Sequence, residues 1–425
     1  DLHSIDGFPM LKETAAYLAV RLAKYNNTGG FKNNKEASIR YALIEIPNSL
    51  DRFVVLPKKE GKNYVMVLDD IIRHCLDRIF FMFDYDEIEA HMIKITRDAE
   101  LDIDDDLEKS FVEKISTSVS NRKISDPVRF VYDKRIKLDT LTFLKKKIDI
   151  ENTDSVIPGG RYHNRRDYMS FPNFGRSELQ YERIDPLPIA GFEMEGSLFD
   201  QIRKRDYLMY TPFQNYGYVV RFLKEAALDP KVKEIKITIY RLAKTSQIAA
   251  ALINAAKNGK KVTVQIELQA RFDEQSNIDY ANKFKEAGIN LIFGIRGLKV
   301  HSKICMITRE TKPRSLEYFG FISTGNFNES TAKIYTDYTL FTSHKGILTE
   351  VEKVFDFLTT TYRVRKYKHL IVSPHYTEST FTRLIQQEIL NAKAGKPASI
   401  RIKMNSFTSY KMIDRLYQAS QAGVK

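Results

Sequence analysis

A histidine and a lysine two residues apart are the side chains of this sequence that are best suited to chemistry. They are His301 and Lys303, in the apolar run 299–307, which the pattern predicts to be an extended strand. Side chains two apart on a strand point to the same face, so an imidazole and an ammonium would face one spot. About twenty residues later, Thr324 and Asn326 flank a glycine in a predicted turn that would add a hydroxyl, an amide and N–H groups. A nitrogen nucleophile, a cation and neutral donors together suit attack on phosphorus.

Two arginines strengthen this interpretation, because the H-x-K spacing alone would also fit a histidine packed beside a buried strand. Arg241 follows one predicted strand, and Arg271 follows the next. Alternating strands and helices predict a parallel sheet, whose ligands bind outside the carboxyl ends of its strands. Both guanidinium groups would lie at that edge, where their donors match phosphate oxygens. The predicted elements are strands 234–240, 261–268 and 290–293, and helices 246–257 and 275–287.

The order of these patterns predicts a multidomain chain with α+β and α/β parts. Residues 1–187 do not alternate strand and helix regularly, and we predict an α+β head domain there. Residues 188–368 carry the alternating pattern and should form a first catalytic domain of the α/β class. Residues 369–425 begin a second copy, since 399–423 repeat the strand, turn, helix and glycine of 235–259. Within this copy the pattern predicts a strand over 399–406 and helices over 379–394 and 412–422.

Two features of the predicted head domain carry many charges. The cluster 104–106 consists of three aspartates at the start of a predicted helix, and we interpret it as helix-starting rather than metal-binding, because negative charge suits the positive end of the helix dipole. The loop 155–166 is rich in glycine and cations, and it could face a polyanion or cover a domain junction. The other elements predicted in the head are strands 15–22, 39–46 and 52–57, and helices 67–81 and 104–123.

The overall charge points to a polyanionic partner. The formal net charge is +13 and the pI is about 9.3, although charge alone does not separate nucleic acid, an anionic membrane and inorganic phosphate chains. Two cysteines, Cys75 and Cys305, exclude a disulfide framework and a cysteine-rich zinc site, and they favour a reducing compartment. No apolar run is long enough for a membrane span and no signal peptide opens the chain. We therefore expect a cytoplasmic protein, with peripheral membrane contact left open.

Six segments of the chain resemble those of the bacterial polyphosphate kinases, a family with a phospholipase D-like fold. Their order and separation also match, which makes the resemblance specific. The resemblance implies that the two predicted α/β parts are duplicated phospholipase D-like domains, of which the second is incomplete. The segments are 157–164, 239–244, 267–274, 297–303, 324–328 and 332–338.

This resemblance implies a kinase that reversibly transfers the γ-phosphoryl group of ATP to inorganic polyphosphate through a phosphohistidine. His301 would be the phosphorylated nucleophile, and Lys303 and Asn326 would hold the transferring group. Tyr335 would lie along the nucleotide, and Thr324 would join the residues that bind ATP or phosphate.

The resemblance also implies Mg²⁺ as a cofactor. The family associates Arg241 and Arg271 with its magnesium and phosphate site. Since a guanidinium is a donor only, we expect these arginines to contact phosphates that Mg²⁺ also binds, rather than the cation itself. The implied partners are ATP or ADP and inorganic polyphosphate, in a homo-oligomer, with no nucleic acid expected.

Some functional parts of the family would lie outside this chain. Its helical N-terminal domain, with an adenine-contacting asparagine, would precede Asp1. Its second histidine and the arginine partner of that histidine would follow Lys425. We therefore expect this fragment by itself to be inactive in turnover.

The main alternative is a phospholipase D-like phosphodiesterase that acts on phospholipid or nucleic acid. Those enzymes carry an aspartate five residues after the lysine of H-x-K, and this position is Thr308 here. The difference favours the kinase, because the carboxylate that orients a hydrolytic histidine is absent from that position. A polyanion-binding module without catalysis would explain the net charge but not the alignment of histidine, lysine and arginine.

Overall fold

In the computed structural model, the chain forms two compact units, residues 1–184 and 185–425. No helix in the described part of the chain is long and apolar enough to cross a membrane. The helix predicted over 104–123 and the side chain of Arg271 lie outside the described residues. The structure describes residues 8–13, 15–25, 37–97, 127–150, 155–182, 184–268, 270, 274–295, 298–313, 315–360 and 365–425.

The first unit is a mixed α+β structure. Its strands are β1 (Tyr17–Tyr25), β2 (Ala37–Glu45), β3 (Phe53–Lys59), β4 (Lys62–Val67), β5 (Glu87–Arg97), β6 (Pro127–Asp133) and β7 (Val156–Gly159). Its helices are α1 (Leu68–His74), α2 (Leu76–Ile79) and α3 (Leu138–Ile148). One sheet has the order β2-β1-β5-β6-β7 and is antiparallel except between β6 and β7, while β3 and β4 pair as a separate hairpin.

Strand β1 is covered on both faces. One face belongs to an apolar cluster that contains Phe130 and Leu144, and the other belongs to a cluster that contains Leu76 and Phe80. All residues over 17–23 are therefore buried. Burial on two faces explains why this strand appears in the sequence as an apolar run without alternation.

The helix predicted over 67–81 is divided at Cys75, which separates α1 from α2 with φ −96° and ψ 8°. The interruption is local, because the Ile79 N–H still donates to Cys75 O at 3.0 Å and the Phe80 N–H to Leu76 O at 2.8 Å. Leu68, Leu76 and Phe80 accordingly belong to one core cluster, whereas Ile79 is 46% exposed. The prediction of one continuous helix is wrong at Cys75, and α2 ends at Ile79 rather than at residue 81.

The second unit contains the predicted α/β pattern. Its strands are β8 (Tyr207–Thr211), β9 (Val232–Ile239), β10 (Lys261–Ile266), β11 (Asn290–Phe293), β12 (Ile304–Lys312), β13 (Ser315–Ser323) and β14 (Asp337–Thr342). Its helices are α4 (Leu198–Lys204), α5 (Gly217–Leu228), α6 (Gln247–Lys257), α7 (Glu274–Glu286), α8 (Lys345–Thr359), α9 (Thr377–Lys393) and α10 (Tyr410–Gln421). The strands form one sheet of order β11-β10-β9-β12-β13-β14-β8.

The parallel arrangement predicted from the sequence is confirmed for β9, β10 and β11. The remaining strand pairs, from β9 and β12 outward to β14 and β8, are antiparallel. The crossover helices α6 and α7 connect the three parallel strands, as a parallel connection requires. The carboxyl ends of β9 and β10 therefore open at the same edge of the sheet.

Helix α6 shows why this part of the fold could be predicted. The Ser246 hydroxyl accepts a hydrogen bond from the Ala249 N–H at 3.2 Å, which caps the first turn. Gly259 has φ +76° and terminates the helix where the sequence pattern ends. Both signals are local, so they act in the same way before and after folding.

The strand predicted over 399–406 is not formed. Residues 397–409 have no regular structure, although the helices predicted on either side are confirmed as α9 and α10. The backbone of this segment bonds to the chain end and to a side chain of α9: Ile400 N–H donates to Lys425 O at 2.8 Å, Lys425 N–H donates to Ala398 O at 3.2 Å, and Ser399 N–H donates to Glu388 Oε2 at 3.0 Å. A strand requires a neighbouring strand for its ladder, and none of the described strands pairs with this segment.

Candidate active site

The H-x-K segment lies at the carboxyl edge of β9 and β10, but it is a loop and not a strand. Strand β12 begins at Ile304, after His301 and Lys303. The Thr238 hydroxyl of β9 donates to Ser302 O at 2.7 Å and accepts from Ile304 N–H at 3.0 Å. A side chain thus replaces the backbone ladder, so the predicted alternation of strand faces does not apply. His301 is exposed, whereas Lys303 is only 5% exposed.

Apolar residues hold this loop on both sides of the histidine. Val300 and Ile304 belong to a cluster with Leu348 and Val351 of α8. Burial of these side chains fixes the backbone while leaving the imidazole at the surface. The buried neighbours of His301 therefore hold its backbone in place, whereas a mobile loop would lack such buried contacts.

The surroundings of His301 favour its neutral form. Its ring meets the Tyr240 ring edge to face, with 5.0 Å between centroids and an angle of 74°. Partial burial lowers the pKa of His301, and the positive charges of Lys303, Arg241 and Lys299 lower it further. At neutral pH the imidazole is thus unprotonated and has a lone pair available for nucleophilic attack.

Lys303 is a buried cation next to the imidazole. Its Nζ donates to the carbonyl oxygen of His301 and lies 5.4 Å from the centroid of the Tyr240 ring. Burial lowers the pKa of Lys303 to about 8; the Asp337 carboxylate opposes this shift and Arg241 adds to it. The ammonium is therefore charged at neutral pH, in surroundings where its field is poorly screened.

Arg241 lies where the sequence places it, directly after β9 and Tyr240. Its guanidinium carbon is 5.4 Å from the centroid of the Tyr240 ring, and its charge lowers the pKa of both His301 and Lys303. The aromatic ring of Tyr240 thus contacts three candidate site residues. Because the Arg271 side chain lies outside the described residues, its predicted place beside Arg241 stays a prediction.

The Thr-Gly-Asn turn is held by a carboxylate from β14. The Thr324 hydroxyl donates to Asp337 Oδ1 at 2.7 Å and accepts from Tyr338 N–H at 3.0 Å. A Cβ at Gly325 would overlap the Asp337 side chain, so only glycine fits there. In this structure the Thr324 hydroxyl stabilises the turn. Its predicted contact with phosphate stays a prediction.

Asn326 offers a polar group without a partner. Its Oδ1 is buried and accepts no hydrogen bond from the described residues. A buried amide oxygen without a partner is uncommon in a folded protein and marks a place for water or ligand. Tyr335, by contrast, is 62% exposed on the turn before β14, so its ring face is accessible.

Three residues that sequence analysis did not assign support the site. Asp337 is the carboxylate whose charge raises the pKa of Lys303. It comes from β14 and not from the position of Thr308. The Asn277 amide donates to Tyr240 O and Glu267 O, each at 2.8 Å, and so joins the ends of β9 and β10. Asp337 lay within a segment that carries the family resemblance, but nothing local distinguished Asn277 from other polar residues of its helix.

Glu267 completes this support from the end of β10. Its Oε2 accepts from the Val300 N–H at 3.0 Å, immediately before the histidine. The carboxylate is 3% exposed and therefore positions backbone rather than facing solvent.

The cations of the head loop 155–166 are partly engaged in ion pairs. Arg161 donates to Asp70 Oδ1 through Nε at 3.0 Å and through Nη2 at 2.5 Å, and the Tyr162 hydroxyl donates to Asp70 Oδ2 at 2.5 Å. Arg165 and Arg166 are exposed. The first unit thus uses part of this loop for its own packing.

The described residues around the site provide donors and cations but few ligands for a metal. No group of three or more His, Cys, Asp or Glu among the described residues could hold an ion. Asp337 is the carboxylate that acts on Lys303, and it also accepts from Thr324. The residues present fit Mg²⁺ only if phosphate oxygens supply most of its ligands, as hard cations in phosphoryl-transfer sites commonly require.

Three family models match the chain. They are the polyphosphate kinase middle domain over residues 2–171, the polyphosphate kinase C-terminal domain 1 over 197–364, and the polyphosphate kinase C-terminal domain 2 over 370–425. Together they cover most of the first unit, the candidate site and the segment after it.

Curated relatives and a solved structure agree with these matches. The chain is 44% identical to a polyphosphate kinase of Vibrio parahaemolyticus over 99% of its length, and 42% identical to one of Escherichia coli strain K12 over 97%. It covers 59% of each of these relatives. The crystal structure of polyphosphate kinase from Porphyromonas gingivalis matches all of the chain with a TM-score of 0.79 and 34% identity, and 60% of that protein is covered. This chain therefore belongs to the polyphosphate kinase family.

Proposed function

We propose that this chain contributes the nucleophile and one phosphate-binding half of an enzyme that reversibly moves the γ-phosphoryl group of ATP to inorganic polyphosphate. The observation that carries the proposal is an exposed, neutral imidazole at His301 beside the cations Lys303 and Arg241. Because the chain spans about three fifths of its curated relatives, the activity of the whole enzyme is part of the proposal.

In the first step, an imidazole nitrogen of His301 attacks the γ-phosphorus in line. A P–N bond forms as the bond between that phosphorus and the β,γ-bridging oxygen breaks, and ADP leaves with the electron pair. Lys303 and Arg241 offset charge on the oxygens, and the side-chain N–H group of Asn326 would donate a neutral hydrogen bond to one of them. Mg²⁺, bound through phosphate oxygens, would neutralise further charge.

In the second step, a terminal oxygen of polyphosphate attacks the phosphorus on His301, and the P–N bond breaks. The nitrogen recovers its lone pair, which returns the site to its starting state. Since a phosphoramidate has a high transfer potential, the same steps can run towards ATP. Lys303 holds the carbonyl of His301 in both directions, so it also limits movement of the histidine backbone.

The predicted roles of three residues depend on this mechanism. Tyr335 presents an exposed ring for the nucleotide. Arg271 would join Arg241 on the phosphates. Thr324 acts through the turn that it stabilises, and it could contact phosphate only through a lone pair of its oxygen or by releasing Asp337, which already accepts its hydrogen bond.

Phosphoryl transfer to His301 is tested by labelling with γ-³²P-ATP. The measurement uses the chain Asp1–Lys425 and a fusion protein that completes it with the remaining domains of the Vibrio parahaemolyticus relative. We expect label that is lost in acid and stable in base, as a phosphohistidine is, and we expect none in His301→Gln. The control is His375→Gln, which removes another exposed histidine of the same unit and should label normally. Full labelling of His301→Gln would refute the proposal.

A further inference from the structure

A pair of tyrosines forms an accessible aromatic surface at the edge of the large sheet. Tyr210 of β8 and Tyr338 of β14 are direct partners in the strand register, and their rings stack with 4.7 Å between centroids and 18° between planes. Tyr338 and the neighbouring Phe213 are each 43% exposed. The surface lies at the end of β14 where Asp337 begins the strand, which is the end that carries the Thr-Gly-Asn contact.

A lysine from a distant part of the sequence lies on this surface. Lys403, in the irregular segment between α9 and α10, donates from Nζ to Thr336 Oγ1 at 2.8 Å and lies 6.0 Å from the centroid of the Tyr210 ring. Both partners of the ammonium are neutral. No carboxylate of the described residues forms an ion pair with it, whereas Lys411, farther along the chain, pairs with Glu378 at 2.5 Å. The exposed ammonium of Lys403 therefore has no ionic partner among the described residues.

The position of this charge connects it to the candidate site. Thr336 stands between Tyr335, the exposed ring predicted to lie along a nucleotide, and Asp337, the carboxylate that acts on Lys303. An ammonium bonded to Thr336 is thus within the loop region where a nucleotide and its phosphates would pass. A compact ammonium without an ionic partner is a ready ligand for a phosphate oxygen.

We propose that Lys403 is an anion-binding residue of the site, which takes a phosphoanhydride oxygen of either a nucleotide or polyphosphate. The proposal rests on the proposed function, because the anions are those of that reaction. It assigns a binding role to the segment after α9. This segment is not paired as a strand, and its Lys403 side chain donates to Thr336. The ammonium would exchange its hydroxyl partner for the anion or contact both, since it has three donors.

The competing role for Lys403 is that of a tether between this segment and the loop of Tyr335. Two substitutions separate the roles. Lys403→Ala removes both the charge and the hydrogen bond, whereas Thr336→Val removes the hydrogen bond and keeps the charge. Anion binding by Lys403 predicts that only the first weakens binding; a tether predicts that both do so equally.

The measurement is the dissociation constant of the chain for ATP and, separately, for polyphosphate of one defined length, by isothermal titration. For Lys403→Ala we expect binding that is about five- to tenfold weaker for at least one of the two anions, as loss of a charge-assisted hydrogen bond predicts. Lys403→Arg should retain binding. The matched control is Lys396→Ala, which removes an exposed lysine directly before the same irregular segment and should change nothing.

The pattern across the two anions identifies the source of the phosphate. Loss for ATP alone assigns Lys403 to the nucleotide, loss for polyphosphate alone assigns it to the chain, and equal loss assigns it to an oxygen position that both use. The proposal is overturned if Lys403→Ala binds both anions as the unsubstituted chain does, if Thr336→Val reproduces its effect, or if the unsubstituted chain binds neither.

Failure of this proposal can be told apart from failure of the proposed function. If His301 is labelled by ATP while Lys403→Ala binds normally, the phosphoryl-transfer function stands and the role of Lys403 is wrong. If His301 is never labelled while Lys403→Ala weakens anion binding, the anion-binding role of Lys403 stands and the phosphoryl-transfer function is wrong. Thermal unfolding of each variant shows whether any loss reflects the fold.

Discussion

The first unit and the candidate site of the second unit differ in how their positive charges are paired. In the first unit, guanidinium groups meet carboxylates directly, as between Arg21 and Asp139 at 2.8 Å and between Arg135 and Asp133 at 2.8 Å. In the candidate site of the second unit, Lys303 instead donates to a carbonyl oxygen, and its charge acts on His301 together with that of Arg241.

This difference distinguishes cations whose ion pairs stabilise the fold from a cation that could bind an incoming anion. A carboxylate that accepts several hydrogen bonds from nearby cations, as Asp133 does, has its charge compensated, so these residues serve structure. Burial lowers the pKa of Lys303 to about 8 although the Asp337 carboxylate opposes the shift, so the charge of Lys303 is incompletely compensated, and an incoming phosphate would supply further negative charge. The net charge of +13 therefore says less about function than the local pairing of a few side chains.

The largest effect is expected from removing the buried cation of the site. Lys303→Met should slow labelling of His301 by about a hundredfold or more, as loss of a preorganised charge on a transferring phosphoryl group does. Labelling rates of the fusion protein with γ-³²P-ATP measure this change. The control Lys299→Met removes the exposed lysine two residues before His301, whose effect on the pKa of His301 ranks last among the three cations, and should cost only a few-fold. Equal losses in the two variants would contradict the special role of the buried charge.

A compensated charge in the first unit should behave in the opposite way. The Asp133 side chain is 1% exposed, and hydrogen bonds from Arg135 and His91 outweigh its burial and hold its pKa well below the usual range. Asp133→Asn should lower the free energy of unfolding by about 2–4 kcal/mol, because a buried neutral amide would replace the carboxylate that accepts hydrogen bonds from Arg135 and His91. Chemical denaturation of the chain measures this loss.

The control for that substitution is an exposed ion pair of the same unit. Asp84 is 83% exposed in its pair with Lys24, so Asp84→Asn should cost less than about 1 kcal/mol. Labelling of His301 should persist in both variants under conditions where they are folded. A loss of labelling in Asp133→Asn but not in Asp84→Asn would contradict the claim that the cations paired with Asp133 serve structure alone.

The pH dependence of His301 labelling should show a smaller effect than the substitutions do. Because the pKa of His301 is lowered from 6.5, more than half of its imidazole is neutral at pH 6.5, and labelling should fall less there than an unperturbed histidine would predict. Because the pKa of Lys303 is lowered to about 8, its charge is lost as the pH rises through that value, and labelling should then decline several-fold.

Stability should move in the opposite direction over the same range. Between about pH 8 and the ordinary lysine pKa of 10.5, the unfolded chain binds more protons at Lys303 than the folded chain does, so the free energy of unfolding contributed by this residue rises with pH. Labelling rates and denaturation curves measured together at pH 7, 8 and 9 test the two signs. A decline of labelling that merely followed unfolding would argue against titration of Lys303.

Elements with local signals were predictable. Helix α6 has its cap at Ser246 and its terminating glycine at Gly259, and both act on their immediate neighbours. The parallel strands β9 and β10 follow from apolar runs of the right length. The presence of His301 and Arg241 at one edge follows in turn from the topology that such strands require.

Features set by distant residues were not predictable. The irregular course of the H-x-K segment depends on the Thr238 hydroxyl, more than sixty residues earlier in the chain. The carboxylate that acts on Lys303 comes from Asp337 on another strand, so spacing from the lysine could not identify it.

The sequence by itself determined which chemical groups are available, their order along the chain and the sheet edge at which His301 and Arg241 meet, because apolar periodicity and helix caps are local and survive without tertiary context. Only the tertiary structure decided that Lys303 is buried while His301 is exposed, that the Thr324 hydroxyl donates to Asp337, and that the Lys403 ammonium donates to Thr336. Burial and charge pairing depend on which distant side chains share a space, and that information exists only once the chain has folded.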